Sequence, residues 1–171
     1  LSEAWQKNMP RSEVLPYIAV QVVGAFAGVA AAHLMFGDPV FFASEHIRTG
    51  PAQWWSEFVA TFGLIAVIIG CSRSRPSITP FAVAAYITAA YWFTSSTSFA
   101  NPAVTLARSA TNTFAGIRPV DTPGFIAAQL LGASVATLVF CWLYPAPPEG
   151  ATVAGTVAPG DFTTQPERSH G

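Results

Sequence analysis

The chain has 171 residues, 51% of them hydrophobic, with 8 Lys+Arg against 9 Asp+Glu and a formal net charge of -1. Only nine charged residues fall between positions 14 and 144, about 7% of that stretch where soluble domains carry roughly 25%. Such scarcity excludes a soluble surface, and the lack of any basic stripe excludes nucleic-acid binding.

Residues 14–36 carry no charge and are interrupted only by Gln21 and His33. About 20 helical residues cross roughly 30 Å of hydrocarbon, so 14–36 is a predicted transmembrane helix. Residues 37–51 form a loop. A second span is predicted over 52–71, with one carboxylate, Glu57, and a short loop follows over 72–77. The third, 78–94, grades into the run Thr94-Ser95-Ser96-Thr97-Ser98. The fourth, 123–144, holds a single Gln129. No secretory signal pattern precedes them. The tail, 145–171, is rich in Pro, Gly, Ala and Thr and is expected to be disordered. Lys7 and Arg11 lie before the first span, and Arg73 and Arg75 lie between the second and third. Both pairs fall on one side, which the positive-inside rule makes cytoplasmic. Loop 37–51 and region 95–122 then face outward, and the tail is cytoplasmic.

Region 95–122 fits neither a span nor an ordinary loop. Asn101 is a strong helix N-cap residue and Pro102 suits the first helical position. We therefore predict a re-entrant segment whose half-helix covers 102–114, about three turns. Non-helical backbone at membrane depth survives only inside protein or beside a water-filled cavity. A pore is the natural consequence.

The chain also repeats itself. Residues 17–25 (YIAVQVVGA) match 125–133 (FIAAQLLGA), aligning Gln21 with Gln129 and Gly24 with Gly132. Less clearly, the first four residues resemble the four from Leu106, which in the second copy follow NPAVT. This suggests that residues 1–13 hold the end of an equivalent first half-helix and a cytoplasmic connection, with earlier spans upstream of a chain that starts with Leu. Two copies of opposite orientation give the inverted-repeat layout of many transport proteins.

Asn101-Pro102-Ala103 after a Ser/Thr-rich approach, with a Gln-bearing span after it and Glu57 in an earlier one, resembles the second half of the aquaporin (major intrinsic protein) family over residues 1–144. The run TSSTSFANPAVTLAR is similar to the aquaglyceroporin-like branch associated with bacterial arsenic-resistance operons. The resemblance implies an all-α membrane protein with an aquaporin-like inverted repeat. The chain would hold the end of repeat 1 (one span, helix 3 of six) and repeat 2 (helices 4, 5 and 6 and a re-entrant half-helix). It also implies a passive channel in a bacterial inner membrane, usually a homotetramer, passing water and small neutral solutes. Asn101 would be the pore-facing amide. Glu57 would accept backbone N–H groups of the 94–100 loop, and Gln129 and Gln21 would support the half-helices.

One departure from the family matters most. Most members carry Arg directly after this NPA, and here the position is Val104. Gap-free counting places the other filter positions at Ser98 and Ala89. A wide, weakly polar filter is expected, admitting glycerol-like polyols, undissociated arsenite or methylated arsenicals. Arg108, one turn beyond Val104, is either a displaced outer-vestibule charge or, as we favour on sequence, a residue with a snorkelling or packing role at the outer surface. Gly24-Ala-Phe-Ala-Gly28 offers a small-xxx-small packing face, and Cys71 and Cys141 are expected to be buried and unpaired. No metal, no cofactor and no enzymatic activity are expected: no His or Lys lies near the 94–98 hydroxyls, and no GxSxG or HExxH occurs. The competing readings are a non-conducting truncated membrane fragment and an inverted-repeat secondary transporter, for which Glu57 is the one available midplane carboxylate.

Overall fold

A computed structural model of the chain describes residues 10–144. The expectations for the first nine residues and for the tail from 145 onward lie outside the described residues. Among the described residues five α-helices follow in order: α1 (Arg11–Phe36), α2 (Pro51–Ser74), α3 (Thr79–Phe93), α4 (Pro102–Arg108) and α5 (Thr122–Leu143). Short 3-10 turns, Pro76–Ile78 and Pro119–Asp121, lead into α3 and α5. There is no strand among the described residues.

Local chemistry sets most boundaries. α1 stops where Gly37 turns left-handed (φ 74°) and donates its N–H to the His33 carbonyl, a conformation that costs glycine little. α2 opens with Pro51 at its first position, where the missing N–H costs nothing. It ends before Pro76, whose predecessor Arg75 is pushed out of helical geometry (φ -150°, ψ 80°). α4 starts at Asn101, whose Oδ1 accepts the Ala103 N–H at 2.8 Å.

Among the described residues three helices are long and apolar enough to cross a membrane, over Ser12–Phe36, Pro51–Ser74 and Pro119–Leu143. The third predicted span, 78–94, is reduced to the 15-residue helix α3. That is about 22 Å of α-helix, with roughly 6 Å more from the preceding turn. The half-helix differs more: α4 has seven residues, where 102–114 was expected. The carbonyls that would have continued it are taken by other chain segments. Ser44 N–H bonds the Ser109 carbonyl at 3.0 Å, Phe42 N–H the Ala110 carbonyl at 3.2 Å, and Ile117 N–H the Arg108 carbonyl at 3.2 Å. The Ser109 hydroxyl caps Leu106 O at 2.6 Å.

α2 and α5 run in the same direction and form the principal helix pair. Arg73 near the end of α2 donates to the Tyr144 carbonyl just past α5. Small residues at four-residue steps let the two backbones approach: Ser56 and Ala60 on α2, Ala128, Gly132 and Ala136 on α5, all buried. α3 joins through Tyr86, whose hydroxyl donates to Ala60 O at 2.9 Å. α1 stands apart, packing on α4, and its most apolar window is unburied within the described chain. Gly24 and Gly28 meet no close neighbour among the described residues, so no packing partner covers the small-xxx-small face there. Trp55, Trp92 and Trp142 are exposed, as an apolar surface facing lipid requires. Cys141 is exposed and Cys71 half-buried, which corrects the expectation of two buried thiols.

A Cβ at Gly132 would lie 2.5 Å from the Phe58 carbonyl oxygen, a clash between two backbones that no rotamer relieves. Gly132→Ala is therefore expected to cost about 1–3 kcal/mol. A lowered midpoint of thermal unfolding in detergent would register this, and an unchanged midpoint would show that the helix pair tolerates separation.

Candidate functional site

The carboxylate of Glu57 is fully buried and is surrounded by donors. Oε1 accepts from Ser96 Oγ at 2.6 Å and from Phe99 N at 2.8 Å. Oε2 accepts from Ala100 N at 2.9 Å and from Gln129 Nε2 at 2.7 Å. Four donors and no acceptor suit an ionised carboxylate, which can only accept. Hydrogen bonds to a charged group contribute about 1.5–3 kcal/mol each, and together they offset the cost of holding an ion away from water.

These bonds hold a backbone that would not otherwise persist. Thr97, Ser98 and Ala100 all have positive φ (63°, 48° and 51°), left-handed conformations that cost a non-glycine residue roughly 1–3 kcal/mol each. The turn aims the Phe99 and Ala100 N–H groups at Glu57. None of the hydrogen bonds among the described residues uses the carbonyls of residues 97 to 100. Backbone carbonyls are strong acceptors that seek a partner.

Gln129 extends the network into α4. Its Nε2 also donates to Thr105 Oγ1 at 2.8 Å, and Thr105 in turn donates to Asn101 O at 3.0 Å. Asn101 is thus fixed at its carbonyl by Thr105 and at its Oδ1 by Ala103. Its amide Nδ2 donates to no group among the described residues.

Sequence reasoning overlooked Arg48, from loop 37–50. It is 4% exposed, and its guanidinium spans the mouth of the re-entrant segment. Nη1 donates to Ser96 O at 3.1 Å, Nη2 to Phe114 O at 2.7 Å and Nε to Gly116 O at 2.8 Å. One side chain thereby binds both the entry and the return of the segment, which establishes that it leaves and comes back at one end of the bundle. The Arg48 N–H bonds Asp121 Oδ2 at 3.0 Å. Burial and the neighbouring Arg108 guanidinium pull Arg48 below its ordinary pKa, with Glu57 acting in the opposite sense; an arginine remains charged regardless. A lone arginine in a loop carries no motif, and its abnormal burial was the only signal available.

A cavity of about 700 Å³ lies between α1 and α4. Ala25, Gly28, Val29 and Ala32 form its α1 wall, and Val104, Ala107 and Arg108 its α4 wall. Val104 and Arg108 therefore share one face, as expected of residues four apart on a helix. His33 borders the same space, with Nδ1 donating to Val40 O and Nε2 bonded to Thr111 Oγ1, both at 2.7 Å. The remaining predicted residues are dispersed. Ser98 is buried, with its hydroxyl lacking a partner among the described residues. Ala89 is exposed on α3. Gln21 is exposed on α1 and is not brought to Glu57. Pro102 and Ala103 form the first turn of α4.

A multi-pass, all-α membrane protein with a re-entrant loop ending in a half-helix is the class these features define. Over 136 residues, 80% of its length, the chain is 57% identical to Aquaglyceroporin AqpS of Rhizobium meliloti (strain 1021). It spans 58% of that relative's length. No family model matches the chain, and no solved structure matches it. This similarity supports membership of the aquaporin (major intrinsic protein) family.

Replacing Glu57 tests whether the carboxylate holds the loop. In Glu57→Gln one of the two acceptor atoms becomes a donor facing a donor, and each buried donor left unpaired costs about 1–3 kcal/mol. Hydrogen exchange at the Phe99 and Ala100 amides should accelerate, and thermal stability in detergent should fall. Unchanged protection at both amides would remove Glu57 from this role.

Proposed function

We propose that the protein forms a passive membrane channel for water and small neutral solutes, including glycerol-like polyols and undissociated arsenite or methylated arsenicals. The observation that carries this reading is the strained 97–100 backbone. Its carbonyls have no protein donor among the described residues, and such backbone at membrane depth implies a wet passage. Carbonyls accept hydrogen bonds from a neutral solute's hydroxyls, and the Asn101 amide donates to its oxygens. The name of the relative from Rhizobium meliloti supports the same solute class. On this reading the first turn of α4 adds a positive dipole end that disfavours cations.

In this proposal Val104, with Ser98 and Ala89, sets a wide filter where most family members have a guanidinium. Pore diameter and lining donors then set selectivity. Glu57 is a support for the loop rather than an ion-coupling group, because both its oxygens are already occupied by fixed donors. That disfavours a secondary transporter. The proposal further includes a homotetramer in a bacterial inner membrane, with loop 37–50 and the mouth of the re-entrant segment outside and the tail inside, and no enzymatic activity.

Stopped-flow measurements on the intact protein in liposomes test the filter. Val104→Arg is expected to lower glycerol flux by about tenfold while reducing water flux less, because a guanidinium narrows the passage and adds donors. Arg108→Ala should alter glycerol flux less than Val104→Arg does. The reverse order would move the filter away from Val104.

A further inference from the structure

Two arginines share one aromatic ring. The Arg48 guanidinium carbon lies 5.3 Å from the Phe99 ring centroid and that of Arg108 lies 4.2 Å from it. Both are within cation–π range, yet their hydrogen bonding differs. Arg48 commits all three of its nitrogens to backbone carbonyls. Arg108 makes one hydrogen bond, from Nη2 to Tyr91 Oη at 2.9 Å, and its Nη1 is buried with no acceptor among the described residues. Of the five N–H hydrogens a guanidinium offers, only one has a protein acceptor there.

Among the described residues the charge of Arg108 is equally unanswered. The ion pair found among the described residues is Arg118–Asp121. Glu57 is saturated by its own donors. Asp38 borders the same cavity from an exposed position without pairing with Arg108. His33 also borders it, with both ring nitrogens engaged. Nine charges serve the 131 residues from 14 to 144, and an unpaired charge inside a membrane protein is costly and marks a functional position. Its guanidinium lies folded onto Phe99 and Tyr91, on the cavity wall beside Val104, and not extended away as snorkelling to the surface would require.

We propose that Arg108 is a specificity-determining residue of the channel, repelling cations and offering N–H donors to oxygen-bearing neutral solutes, and that Arg48 is the positioning residue that fixes Phe99 beneath it. This rests on the channel reading above. Arg48 is anchored on three sides, so Phe99 is a fixed platform. Repulsion between the two guanidinium groups then favours placing Arg108 away from Arg48. Its position is about 6 Å along the helix axis from Val104, so the charge acts without occupying the aperture beside that side chain.

The experiment measures two quantities on the intact protein in liposomes: glycerol flux by stopped-flow light scattering, and sodium and proton leak by entrapped dyes. Arg108→Gln is expected to raise cation leak by about tenfold and, with fewer N–H donors facing the solute, to lower glycerol flux by about threefold. Arg108→Lys keeps the charge and should exclude cations as the wild type does. Arg48→Lys keeps a charge but cannot serve three carbonyls from one rigid fork. It should raise cation leak while glycerol flux persists, whereas a merely structural role would lower every flux together. Glycerol flux without added cation leak in Arg108→Gln overturns the proposal, as does an Arg108→Lys variant that leaks cations like the Gln variant. A wild-type protein that passes no glycerol overturns the channel reading itself, and this proposal with it.

Discussion

Burying a carboxylate inside a membrane protein is costly, and the fold is arranged so that Glu57 never lacks a donor. Two segments far apart in sequence meet at the two oxygens that α2 presents: Ser96, Phe99 and Ala100 from the re-entrant loop, and Gln129 from α5. The carboxylate does what water does for an ordinary loop, satisfying N–H groups that no helix or sheet can reach. Because two of its donors are backbone N–H groups, it also selects one conformation, in which three residues that prefer negative φ are held left-handed. Strain of this kind persists only where the surroundings over-determine it. The start of α4 and the position of Asn101 then follow through the Gln129–Thr105–Asn101 relay.

A second constraint closes the segment from the other end. Arg48 gathers carbonyls from before and after α4, so a stretch that enters the bundle must come back to the same guanidinium. Phe99 joins the two constraints, because its N–H is held by Glu57 while its ring lies against Arg48. The ring also packs on Phe125 of α5, centroids 5.3 Å apart, and with Ile117 forms a small buried apolar cluster. Polar anchoring and apolar packing therefore converge on one residue. A shift at either end of the loop is transmitted to the face of α4 that carries Val104 and Arg108.

How much of this was legible in the sequence depended on whether the signal was local. The apolar runs, the Asn101-Pro102 helix start and the solitary Glu57 each state their chemistry within a few residues, and Glu57 accepts the Phe99 and Ala100 N–H groups. The end of α4 was not legible, because the groups that stop it, Phe42 and Ser44 N–H, belong to a loop some 65 residues earlier. Nothing in TLARSATNTF forbids a further turn. Arg48 was illegible for the same reason: three carbonyl acceptors leave no mark on side-chain chemistry. The repeat pairs Gln21 with Gln129, yet only Gln129 meets a carboxylate among the described residues, so repeat symmetry predicts kind and not contact. The orientation of Arg108 was not legible, because a helix position near a membrane surface does not show that Phe99 and Tyr91 lie within reach of its guanidinium.

On the channel reading, these positions separate two properties that one guanidinium beside the NPA would combine. A side chain at the narrowest point contributes steric bulk, which acts only at contact, and charge, whose effect falls as the inverse of distance. Moving the charge from about 4 Å to about 10 Å from a passing ion weakens the interaction by roughly 2.5-fold, while the steric obstruction vanishes. An apolar residue at the constriction with an arginine one turn away is therefore a route to a passage that is wide for neutral solutes without being open to cations. It requires a guanidinium that is neither paired nor free to swing into the opening. An aromatic platform meets both demands: it attracts the cation through its quadrupole without neutralising it, and it is itself held by Glu57, by Phe125 and by the anchored Arg48.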